Sequence, residues 1–162
     1  MKQLRFITAI LLLSALFLTS CGKAPAVADD FTVAFVAENT DSNLTYEGIL
    51  SKSADSVSIA MTAPYAVKNT SFTYEEDDLR ISLDGLRTEA DSHYLPQDSM
   101  PSVLYRDIST LSHASYTGSD GKEDRYAIAL PQGDAALTAV NGIPTSLSDP
   151  ATGWEFTFSS AP

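Results

Sequence analysis

Few residues in this chain are equipped for chemistry: one cysteine, two histidines and two knots of carboxylates. His93 and His113 are the only imidazoles, the candidates for a base or a soft metal ligand. They stand twenty residues apart, whereas histidines that share a metal usually come as close pairs such as H-x3-H. One lies in the polar stretch EADSHYLP and the other near the end of a helical pattern, so both read as solvated surface residues. Carboxylates gather in EEDD at 75–78 and in SDGKED at 119–124. Neither stretch has the alternate-position ligands and closing glutamate of a calcium loop, and both read as solvated hairpin tips. A paired-carboxylate hydrolase would need two such groups to converge through the fold, and no substrate-binding aromatic cluster surrounds them. The nucleophile elbow G-x-S-x-G, the P-loop and the fingerprint G-x-G-x-x-G are all missing from the sequence. The expectation is no enzyme, no metal site and no cofactor.

Cys21 asks for a different chemistry. It follows a positive start (Lys2, Arg5) and the apolar run FITAILLLSALFL from Phe6 to Leu18, with Thr19 and Ser20 between. That is the layout of a secretory signal, residues 1–20, too short to span a bilayer comfortably. A lone thiol outside the cell has no internal disulfide partner, so it pairs with another chain, stays free or is modified. Leu18-Thr19-Ser20-Cys21 resembles the bacterial lipobox, whose cysteine receives a diacylglycerol and becomes the first residue after cleavage. The resemblance implies lipidation at Cys21, each buried methylene adding about 0.8 kcal/mol of membrane affinity. An ordinary cleaved signal with an incidental cysteine is the alternative. The expected location is the extracytoplasmic face of the cell membrane, or the outer membrane if the host is Gram-negative, because Gly22 follows the cysteine rather than aspartate.

Cleavage would leave residues 21–162, a length suited to one domain with a workable core. Loss of Lys2 and Arg5 takes ten Lys and Arg to eight against 21 Asp and Glu, so the formal net charge moves from −11 to −13. Such a surface is unsuited to nucleic-acid phosphates or anionic headgroups. Residues 21–30 end in GKAPAVADD, small and without apolar period, and read as a flexible acylated tether. A single β-rich domain is expected over 31–162.

That domain is dominated by alternation of apolar and polar residues, the mark of half-buried strands. Val57, Ile59 and Met61 form one face, and so do Leu79, Ile81 and Leu83, then Tyr126, Ile128 and Leu130, then Trp154, Phe156 and Phe158. FTVAFVA at 31–37 is apolar on both faces, which predicts a central or covered strand. Asn141-Gly142 predicts a type I′ hairpin and Asp120-Gly121 a second such turn. Pro64 should end a strand, and Pro144 should mark an edge or a bulge. One segment differs: in MPSVLYRDISTLSH, Leu104, Ile108 and Leu111 make the stripe of an amphipathic helix near 101–112. Pro101 suits its first turn, with Asp98 and Ser99 as candidate caps. The fold expected is mainly β (α+β), a curved antiparallel sheet or half-barrel with one packed helix.

The segment 44–86, with LTYEGIL, VSIAMTAP and SFTYEEDDLRISLDGL, resembles the half-barrel of the LolA/LolB-type lipoprotein carriers, and YEGIL followed by a strand and AP is similar to small Gram-positive lipoproteins without assigned roles. The carriers begin with a long amphipathic helix and latch their lid with an early arginine. Here a strand pattern comes first and no arginine lies between Arg5 and Arg80, so the resemblance implies an apolar-ligand cleft without that latch. Met61, Phe72, Tyr74, Trp154 and Phe156 are the candidate lining residues, with ordinary core as their alternative role. The expected function is a lipid or other apolar ligand bound between sheet and helix. The alternative is a protein–protein interaction module of the cell envelope with no small-molecule ligand.

Overall fold

Residues 24–162 are described by a computed structural model; Cys21, and with it the lipidation site, lies outside them. The alternating segments become eleven strands: β1 (Phe31–Asn39), β2 (Leu44–Lys52), β3 (Ser56–Ala63), β4 (Thr70–Glu75), β5 (Asp78–Leu83), β6 (Leu86–Asp91), β7 (Ser115–Ser119), β8 (Asp124–Ile128), β9 (Ala135–Val140), β10 (Ile143–Asp149) and β11 (Trp154–Ser160). They form one curved antiparallel sheet in the order β6-β5-β4-β3-β2-β1-β11-β10-β9-β8-β7. Chain neighbours pair throughout, and β1 joins β11 with Phe35 opposite Phe158. The sheet is therefore open between β6 and β7, which are consecutive in the chain. The segment joining those two edges carries helix α1 (Met100–Ser109) and a 3₁₀ turn at Leu111–His113. It has to cross the sheet, and it lays Val103, Leu104 and Ile108, all fully buried, against the inward side chains of the strands.

FTVAFVA is central, as its composition predicts, but not covered on both faces. Its burial alternates, and Val36 on the outer face is 38% exposed. One helix can cover only one face of a sheet, and the outer face meets water. Coverage also fades toward the β6 edge: Leu79 is buried, Ile81 half-buried and Leu83 exposed, and in β6 only Ala90 is half-buried. Asn141 and Gly142 both take positive φ, 53° and 80°, as a type I′ turn requires. Asp120-Gly121 does not repeat this. It belongs to a four-residue loop in which the Asp120 carboxylate accepts from the backbone N–H groups of Lys122 and Glu123. The other two-residue turn of the I′ kind is Asp84-Gly85, between β5 and β6, with φ of 47° and 87°. Pro64 ends β3, and a register shift between Pro144 and Ser146 forms the bulge.

The tether is not free along its whole length. Ala28 N–H donates to Gly142 O at 2.8 Å, and Val27 and Ala28 pack against the core. The core itself needs one glycine at close quarters. A Cβ on Gly48 would lie 2.4 Å from Ala60 O and 2.7 Å from the Phe35 ring, so β2 carries no side chain there and the Phe35 ring fills the space.

Candidate functional site

Antiparallel alternation sorts the connections onto two ends of the sheet. Residues 24–30, the 53–55 turn and the Asn141-Gly142 turn share one end, where Lys52 Nζ also donates to Asp29 O at 3.1 Å. The connections 40–43, 64–69 and 150–153 share the other. At that second end, between the sheet and the N-terminus of α1, the side chains leave a cleft of about 610 Å³. The end at which the tether enters is thus opposite the end at which the cleft opens.

Each wall has a local cause. Leu44 and Tyr46 come from the start of β2 and Trp154 from the start of β11, two strands that flank the end of β1. The Tyr46 and Trp154 rings lie 5.9 Å apart and tilted by 45°. Met61 and Phe72 face them from β3 and β4, Val67 from the 3₁₀ turn after Pro64, Leu95 from the helix approach and Met100 from the first position of α1. Hydrogen bonds hold the rim. Asn39 Nδ2 donates to Thr152 O at 3.0 Å, and Asn39 Oδ1 accepts from Ser42 N–H and Ser42 Oγ. Thr40 N–H donates to Gly153 O at 2.9 Å. Trp154 Nε1 donates to Asp98 O at 3.0 Å and pins the helix approach to β11. Ser99 stands at the N-cap position, yet its hydroxyl donates to Pro96 O at 2.6 Å and pairs with the Ser102 hydroxyl at 3.0 Å rather than accepting from a helix N–H. Asp98 is no cap either; it is an exposed residue of the cleft rim.

Of the five residues predicted to line a ligand site, the fold brings Met61, Phe72 and Trp154 together on this cleft. Tyr74 and Phe156 are elsewhere, in the packed core. Tyr74 is fully buried and stacked on Tyr105 of α1 with ring centroids 4.0 Å apart. Phe156 is 1% exposed, between Trp154 and Phe158. Both point inward like their neighbours, but Tyr105 of α1 covers Tyr74 and the surrounding core encloses Phe156. Burial pushes the Tyr74 hydroxyl up to about 12; the Ser102 hydroxyl offsets part of that rise without making a hydrogen bond of ordinary geometry. Tyr46, Leu44, Val67 and Leu95 are the lining residues that alternation alone could not find, since they sit at strand ends and in connections.

A second cleft, about 630 Å³, lies on the far side of the Leu95–Asp98 stretch and shares Leu95, Asp98 and Thr152 with the first. Ser, Thr, Gln and Asp side chains alternate with apolar ones around it, and its floor carries an ionic cluster. Arg106 of α1 donates through Nε to Asp107 Oδ1 at 2.8 Å and through Nη2 to Asp149 Oδ2 at the end of β10. With its amide ends assigned by hydrogen bonding, Gln132 Oε1 also accepts from Arg106 Nη1 at 2.6 Å. Asp107 and Asp149 are fully buried, and Asp107 Oδ2 has no partner. Burial raises the Asp107 carboxyl to about 7 against the opposing pull of Arg106, and the neighbouring Asp149 adds to the rise. A signal for this was present: Asp107 sits three residues after Leu104 and one before Ile108, on the buried stripe of the helix, where an aspartate must be paired.

His93 is an exposed loop residue hydrogen-bonded to Asp91, and His113 is an exposed residue of the 3₁₀ turn. Among the described residues no group of His, Cys, Asp and Glu is placed to hold a metal, and no helix is long and apolar enough to cross a membrane.

No family model matches the chain, and no curated protein matches it. Among solved structures it is similar to a LolA superfamily protein from Nitrosomonas europaea, with TM-score 0.42 and 13% identity over 82% of this chain and 84% of that one. It is also similar to one chain in a structure of the CwlD amidase from Clostridioides difficile in complex with the GerS lipoprotein, with TM-score 0.40 and 13% identity over 74% of this chain and 75% of that one. These are similarities of fold, and the site residues above do not rest on them.

Proposed function

We propose that this is a lipid-anchored, extracytoplasmic, non-enzymatic protein that binds an apolar or amphiphilic molecule in the cleft between Trp154 and Leu95. The cleft itself carries the reading. Its volume of about 610 Å³ is within the ordinary range for small-molecule sites, and its walls are mainly aliphatic and aromatic. Its two serine hydroxyls, Ser42 and Ser99, are committed to Asn39 and to the Pro96 carbonyl, and neither His93 nor His113 lines it to activate a nucleophile. Anchoring through Cys21 would hold the tether end toward the membrane and leave the cleft mouth facing away from it, open to molecules arriving from outside.

A neutral apolar dye, N-phenyl-1-naphthylamine, tests the binding. At roughly 0.4 kcal/mol per non-hydrogen atom its Kd should fall near 10 µM. Val67→Trp, which fills the cleft, should weaken it about tenfold or more. A dye that stays dark, or a Val67→Trp protein that binds as well as the parent, refutes the cleft reading. The anchor is tested separately in cells: Cys21→Ala should move the protein from the membrane fraction to the soluble one, and unchanged retention would refute lipidation.

A second reading, an envelope protein partner, is favoured by the open β6 edge and by Tyr65 and Leu86, which are 93% and 77% exposed. Photo-crosslinking from Leu86 in cells distinguishes it: a reproducible protein adduct together with a dark dye would favour the partner.

A further inference from the structure

We infer that the occupant of this cleft is an amphiphile with a positively charged, ammonium-type head rather than a fatty acid or another anionic lipid. The inference rests on the cleft reading and names the charge of its ligand. Sixteen residues line the cleft; two of them, Asp41 and Asp98, are carboxylates and none is Lys or Arg. Neither carboxylate takes part in an ion pair or side-chain hydrogen bond among the described residues, and both residues are exposed at the rim, where their charge acts on whatever enters from solvent.

The Asp41 loop is built to that position. Asn39 and Thr40 tie it to Thr152 and Gly153, and Asp41 Oδ2 lies 2.9 Å from where a Cβ on Gly153 would be. Gly153, at φ 71°, both makes the turn and leaves room for the carboxylate. Beside it stand Tyr46 and Trp154, two rings at a wide angle to each other. Faces of Tyr and Trp next to carboxylates form the environment that attracts an organic cation, through ring quadrupole and charge together. The opposite wall, Met61, Phe72, Val67 and Leu95, is apolar and suits an alkyl tail. An anionic head would meet two carboxylates on a lining that holds no Lys or Arg. Arg106, in the second cleft, is already shared by Asp107 and Asp149.

Three surfactants with the same twelve-carbon tail test this below their micelle concentrations: dodecyltrimethylammonium, dodecyl maltoside and dodecanoate. Fluorescence of Trp154, the chain's one tryptophan, is the readout. The cation should bind about tenfold tighter than dodecanoate, with the neutral maltoside between them. In Asp41→Asn/Asp98→Asn the cation-to-neutral affinity ratio should fall about fivefold. In Asp29→Asn/Asp55→Asn, which removes the same charge at the other end of the sheet, the ratio should hold. Equal binding of the three heads, or a preference for dodecanoate, overturns the head-group inference while leaving the apolar cleft standing. A cation preference that survives Asp41→Asn/Asp98→Asn reports only the protein's overall negative charge and overturns it as well. Failure of all three surfactants, and of the neutral dye, sinks the cleft reading along with it.

Discussion

Arg106→Met should destabilise the protein by about 3–5 kcal/mol near pH 8, because it leaves two buried carboxylates without their shared cation. Asp107 and Asp149 have no exposed surface, and one guanidinium serves both of them. Asp149 has a second donor in the Ala151 N–H at 3.0 Å, but Asp107 has no other donor than Arg106. The cluster fastens α1 to the end of β10, and the turn that follows β10 supplies Thr152 and leads into Trp154 on the cleft wall. Arg106→Lys should recover little of the loss, since a point charge cannot reach in two directions as the planar fork does. Urea unfolding of the three proteins is the measurement, with the slope monitored to show that the unfolded state is unchanged. A loss below about 1 kcal/mol would mean that the carboxylates find water or rearrange, and that the cluster is a surface feature in disguise.

Much of the fold was legible because period two is a strong signal when one face is covered. Val57, Ile59 and Met61, or Trp154, Phe156 and Phe158, are all buried on the side their alternation predicts. The helix was legible for the same reason at a period of 3.6, with Leu104, Ile108 and Leu111 inside. What alternation cannot give is the extent of the cover. Phe156 and Trp154 look alike in sequence and both are buried, yet only Trp154 borders the cleft, which lies beside the N-terminus of the ten-residue helix. Connections were the other blind spot. Leu95, Val67 and Asp41 follow no period; they were brought to one rim by antiparallel strand ends and by hydrogen bonds from Asn39 that span more than a hundred residues of chain. FTVAFVA misled because its outer face is apolar without being covered, as isolated surface apolar residues often are.

Stability should fall as pH rises from about 5 to about 8, the reverse of the behaviour expected of a protein held by surface ion pairs. The sign follows from Asp107. Its ordinary value is 3.8 and burial lifts it to about 7. Between those values the folded protein holds a proton that the unfolded chain has released, so each unit of rising pH costs about 1.4 kcal/mol, and the ceiling over three units is about 4 kcal/mol. The contribution is complete below the unfolded value and is lost as pH passes the folded one. Asp91 and Asp120, both held below the usual carboxylate range by neighbouring backbone N–H groups, act in the opposite sense. Their stability is present above the ordinary carboxylate value and lost only in stronger acid, so they do not mask the slope. Tyr74, Tyr105 and Tyr126, all raised by burial, add a further loss only in strong base. Structurally, Arg106 pairs with Asp149 alone while Asp107 is neutral, and must be divided between two anions once Asp107 ionises. Asp107→Asn should therefore flatten the profile between about pH 5 and about pH 8, where urea midpoints are read. It should also leave Arg106→Met less damaging than in the parent, because only one buried charge is then orphaned. A parent protein whose stability climbs with pH across that interval, or an Asp107→Asn protein that keeps the full slope, would show that the Asp107 carboxyl reaches water and is not the group that titrates.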